Sequence, residues 1–166
     1  MAETSPSQVL ATVLDNTRAL TLFYLHHAED VDRARNFTVG GFKTNSIEWI
    51  VAHLAWAEDF LILRGVGNQG LDVPWFERFA LGAEQADASA YPPFAEAVEI
   101  LHRVHQRSLE LLKTLPEAVL DHANHVGLEF GAGNSNRIVI QHCIRHEGAH
   151  AGHLGWLLRM HGKKVI

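Results

Sequence analysis

The chain has 166 residues, of which 47% are hydrophobic and 20% charged, with a formal net charge of −5. That balance describes an ordinary globular domain, long enough to bury a core without staples. It excludes a strongly basic nucleic-acid binder, and no apolar run approaches the ~18–20 residues that span a membrane.

Four amphipathic segments follow in chain order. The first opens at Pro6–Ser7, with Val9, Leu10, Val13, Leu14, Leu20 and Tyr24 at helical spacing. The second opens at Asn45, with Glu48 three residues later in a capping-box pattern, and runs to Gly65. The third starts after Pro92–Pro93, carries Leu101, Val104 and Leu112 on one face, and stops before Pro116. The fourth starts near Asn134–Ser135 and ends at Gly162. "GLEF", residues 127–130, is a weak strand candidate in a chain that otherwise reads as all-α.

Segments two and three are joined by "GVGNQGLDVPWFERFALGAEQADASAYPP", far longer than the ~2–8 residues usual between bundle helices. Such a connection can travel back along a helix of ~30 Å. The expected fold is a single four-helix bundle over residues 1–166, up-down-down-up, with a long crossover. Trp75, Phe76, Phe79 and Leu81 would dock the crossover on the bundle.

Histidine stands out, with twelve in the chain. "HCIRHEGAHAGH" carries His142, His146, His150 and His153 on one face of the fourth helix. Residues at i and i+4 lie ~5–6 Å apart, close enough for two imidazoles to share an ion. His142 and His150 are ~12 Å apart along the axis, so the pairs 142/146, 146/150 and 150/153 compete, with 146/150 the best flanked. His53, at mid-height on the apolar face of the second helix, is a third candidate, and His105 a weaker fourth. A lone core histidine is more often simply hydrogen-bonded, and convergence of two helices is what would make a site in a bundle core.

"HEGAH" also spells the zinc-protease motif H-E-x-x-H. The extended form requires glycine where this chain has His153, and no Glu or Asp follows His150. A protease is therefore not expected. Glu147 lies off the ligand face and is expected to meet solvent or an interface.

"FKTNSIEWIVAHLAWAEDFLI", "PWFERFALG" and "HCIRHEGAHAGHLGWLLRMHG" together resemble the DinB/YfiT-like superfamily of metalloenzymes. The resemblance covers most of the chain and implies the same up-down-down-up bundle. It carries the metal ligands onto His53, His146 and His150. Where relatives commonly have glutamine after the motif glycine, this chain has His153.

Three imidazoles leave an ion's charge uncompensated and one position open, the pattern of a catalytic site. Zinc or nickel is the foremost expectation for the divalent ion. Such an ion can lower the pKa of water or ionise a thiol. By resemblance, the expected chemistry is thiol S-transfer to a small electrophile using a low-molecular-weight thiol, with His153 or Glu147 orienting a proton or a ligand ring. Metal-dependent hydrolysis and a non-catalytic metal-binding stress protein are the alternatives. Arg145 is a further candidate, to bind a thiol's carboxylate.

The single cysteine, Cys143, and an opening "MAETSPSQ" without an apolar run lead us to expect a cytoplasmic protein. A second apolar strip on the fourth helix, Ile140, Ile144, Ala151, Leu154 and Leu158, with Gly148 and Gly155 beside it, leads us to expect a homodimer through that surface.

Overall fold

A computed structural model describes residues 4–83, 88–131 and 133–165. Four long helices dominate: α1 (Pro6–His26), α2 (Ile47–Glu58), α3 (Phe94–Thr114) and α4 (Asn136–Met160). Ser5 caps α1, its Oγ accepting from the Gln8 backbone while the Gln8 side chain accepts from Ser5 N–H, a reciprocal box with Pro6 just inside. The cap of α2 is Ser46 rather than Asn45: its Oγ accepts from Trp49 N at 3.2 Å, and Glu48 N–H turns to Arg33 O instead. Two adjacent residues competent to cap make this boundary ambiguous by one position.

The second helix is not uniform. After Glu58 it widens into a π-helical turn over Asp59–Arg64, closed by bonds such as Gly65 N–H to Phe60 O. Buried Asp59 accepts from Leu71 N and Arg64 Nε, both at 2.7 Å, and so ties the widened turn to the start of the crossover. A Cβ at Gly65 would lie 2.3 Å from Leu61 O, so the turn ends on glycine. "GLEF" forms no strand; Phe130 makes an isolated bridge to Gly133. A two-residue hairpin, β1 (Thr38–Val39) against β2 (Phe42–Lys43), turns on Gly40 and Gly41, both at positive φ.

Cross-helix contacts give the directions of the helices. Thr17 lies beside Gly148 and Tyr24 beside Gly155, so α1 and α4 run parallel. Ser7 meets the Leu115 carbonyl, Asp15 meets His105 and Arg18 meets the Leu101 carbonyl, so α1 and α3 run antiparallel. Glu58 meets His105, and Gly67 lies against Leu111, which makes α2 and α3 parallel. The sequence of directions is up, down, down, up. Trp75, Phe76 and Phe79 of the crossover are buried on the bundle, whereas Leu81, expected to dock with them, is 86% exposed.

The centre of the bundle is ionic. Arg18, 1% exposed, donates to both oxygens of Glu147 at 2.7 and 2.9 Å, to Glu58 Oε2 at 2.7 Å and to the Leu101 carbonyl at 3.2 Å. Thr21 Oγ1 donates to Glu147 Oε1 at 2.6 Å. The two ring nitrogens of His105 lie 3.0 Å from Glu58 Oε1 and 3.2 Å from Asp15 Oδ1. Burial alone would raise the Glu147 carboxyl, but the Arg18 charge and the bonds from Arg18 and Thr21 outweigh it and hold the group below the usual carboxylate range.

This arrangement corrects two expectations. Glu147 faces neither solvent nor an interface. Of the strip Ile140, Ile144, Ala151, Leu154 and Leu158, all but the half-buried Ile144 are buried within the chain, so the strip is not the exposed surface that the expected homodimer would use; Gly148 and Gly155 let α1 approach instead. Helix four therefore turns this strip inward and its histidine face toward the side of the bundle. Leu154→Ala is expected to cost about 2–3 kcal/mol in urea denaturation as the core loses a well-packed side chain. A variant as stable as the parent would contradict the buried placement.

Candidate metal centre

α4 runs unbroken from Asn136 to Met160 without a proline, and its 3.6-residue period sets His146 and His150 one turn apart. α2 brings His53 against them from the antiparallel neighbour. One donor atom of each of His53, His146 and His150 lies within 4.8 Å of the others. His53 Nε2 and His146 Nε2 are 3.1 Å apart. Two nitrogens sharing a tetrahedral zinc at 2.0–2.1 Å stand about 3.3 Å apart, so this pair already has nearly the separation of co-ligands. The site lies in the groove between α2 and α4, with His53 buried and the other two half-buried, and the bundle centre belongs to Arg18 and its carboxylates.

The tautomer of His53 follows from its surroundings. Its Nδ1 is 2.7 Å from the Phe79 carbonyl, which can only accept, so the proton resides there and the Nε2 lone pair points to His146. A backbone carbonyl behind a ligating imidazole is the usual device that orients such a ring. Trp49 stacks on His53 at 4.6 Å and 15°, with Trp56 at 5.6 Å nearby.

Burial depresses all three histidines: His53 downward against its Phe79 bond, His146 to about 4 with help from His53 and His142, and His150 to about 3 with help from His146 and His53. All three are neutral near pH 7, the form that ligates. For the metal-free protein, histidines depressed in the folded state keep their full contribution to stability above the unfolded value of 6.5. That contribution drains as pH falls from there toward the folded values, because the unfolded chain takes up protons first. A falling melting temperature across this interval, weaker in His150→Ala, is expected in chelator-treated protein.

The other candidates lie elsewhere. His142 stacks on Phe130 at 3.9 Å and is outside the ligand set. His105 is held in the ionic centre. His153 is exposed, its Nδ1 3.4 Å from His150 Nδ1, and lines a cleft of about 310 Å³ with Thr44, Ile50 and Trp156. Glu147 of "HEGAH" points away to Arg18 and Thr21. Arg145 is exposed and lines a separate cleft with Gln141 and Ile144. The Phe79 carbonyl was not foreseeable as a site element, since a backbone acceptor leaves no mark in side-chain pattern; the apolar "PWFERF" signals docking of the crossover but not which carbonyl lands on His53.

Fold and site together define an all-α bundle with a three-histidine cluster able to hold a metal ion. No helix is long and apolar enough to cross a membrane among the described residues. A family model described as the DinB superfamily matches residues 13–154, and the chain belongs to that superfamily. No curated protein matches the chain.

Proposed function

We propose that this protein is a metal-dependent enzyme in which His53, His146 and His150 hold a divalent ion, zinc or nickel, for joining an intact small thiol through its sulfur to a small electrophile, whose leaving group is displaced. The observation that carries the reading is the cluster itself: three neutral nitrogens from two helices, one of them held in its tautomer by the Phe79 carbonyl. A bound divalent ion supplies Lewis acidity that favours ionisation of a thiol or of water at neutral pH. The protein's part is to orient. Phe79 fixes the His53 ring, Trp49 and Trp56 stack beside it, and His153 orients His150 through the ring nitrogen 3.4 Å away. Glu147 has no part in this reading, because its oxygens are committed to Arg18 and Thr21.

Metal analysis of wild type and His53→Ala is the first test, with about one ion per chain expected for wild type and loss in the variant. Consumption of an activated aryl halide should then require metal and added thiol together. Turnover of esters with metal but without thiol would favour hydrolysis instead. A chelator that lowers the melting temperature while neither assay shows turnover would favour a non-catalytic metal-binding protein.

A further inference from the structure

One cavity of about 110 Å³ opens directly on the histidine cluster, with His53 and His146 in its wall. Its remaining lining is apolar or aromatic and includes Trp56, Phe60, Leu81, Leu128, Phe130 and the ring of His142. Among the described residues that line it, none is Asp, Glu, Lys or Arg. Phe60 stands in the π-helical turn and stacks on Trp56 at 5.2 Å and 13°, while Phe130 and His142 make a second stacked pair at 3.9 Å. Two flat aromatic pairs thus line a cavity that also borders His53 and His146.

We propose that this cavity selects the substrate: a small, uncharged molecule whose metal-binding head sits at the cluster and whose short apolar tail fills the slot. The inference rests on the metal reading of His53, His146 and His150. Size sets the tail. A dry cavity of ~150 Å³ takes up benzene, so this smaller one suits a short alkyl or allyl chain better than a large ring. Charge sets the head group's neighbours. A carboxylate or ammonium on the tail would lose its hydration in a slot without a countercharge, a cost that burial of a few methylenes does not offset. Leu81, exposed on its outer side, forms the mouth.

The test uses the full chain loaded with Co²⁺ and titrated with ethanethiol, 1-propanethiol, 1-butanethiol and 3-mercaptopropionate, followed by the sulfur-to-cobalt charge-transfer band. Affinity is expected to rise about fourfold per added methylene. 3-Mercaptopropionate should bind at least about tenfold more weakly than 1-propanethiol. Leu81→Asp, on an exposed side chain, should load cobalt as wild type does and lose the chain-length preference. A flat series, or a carboxylated thiol bound as tightly as the neutral one, overturns the proposal while leaving the metal reading intact. Failure of Co²⁺ to load would defeat the metal reading, and the slot is then tested without it. Methyl resonances of Leu81 and Leu128 in metal-free protein should move with 1-butanol and not with butyrate. No movement with 1-butanol overturns the slot as well.

Discussion

Arg18→Met is expected to destabilise the fold by about 3–5 kcal/mol, because it strands two buried carboxylates without their cation. For a chain of this size that corresponds to a fall in melting temperature on the order of 10 °C. The loss should fall on the ionic centre as a unit. In the triple variant Arg18→Met, Glu58→Gln, Glu147→Gln, neutral amides replace the stranded charges, so most of the stability should return. Calorimetry at neutral pH decides the matter: a single variant within about 1 kcal/mol of wild type would mean that Glu58 and Glu147 are not held as described. Acid should act on Glu147. Glu147 is depressed below its ordinary value in the folded state, so its contribution is complete above the unfolded value of 4.5 and disappears as pH falls through the folded one.

The second large effect belongs to the histidines. His150→Ala is expected to weaken metal binding by at least about a hundredfold, since 10–16 kcal/mol shared over four ligand positions is on the order of 3 kcal/mol for each. His142→Ala should retain the ion, because that ring is stacked on Phe130 outside the cluster. His153→Ala should fall between the two, losing roughly ten- to a hundredfold, as removal of an orienting partner does. Competition titration against a chromophoric chelator orders the three variants. Loss of metal from His142→Ala comparable to that from His150→Ala would refute the assignment.

Much of this molecule was legible in its letters, for identifiable reasons. The four helices announce themselves through amphipathic spacing and through Pro92–Pro93, Pro116 and Gly162 at their limits, all local signals. The histidine pair on α4 follows from a four-residue spacing, and His53 stood out as a polar residue on an apolar face. What failed depended on distant partners. Helix four carries apolar side chains on two faces, and no local pattern says which turns inward. Arg18, far away in the chain, decides that by drawing Glu147 and its neighbours to the centre. The same ion pair buries Glu147, which reads as a solvent-facing residue. The π-helical turn was invisible because one extra residue per turn leaves composition untouched, and the hairpin at 38–43 is too short to show a period. Leu81 was misplaced because hydrophobicity alone does not distinguish a docked side chain from the lip of a cavity.

The bond from His53 to the Phe79 carbonyl has a thermodynamic corollary. The segment that supplies this acceptor is an excursion between two helices, so its seating and the grip on the ion are linked equilibria, each favouring the other to the same degree. Loading the cluster should therefore slow amide exchange around residues 75–79, a stretch that touches no ion. Conversely, anything that prises the excursion loose would discharge the cluster without ever reaching it.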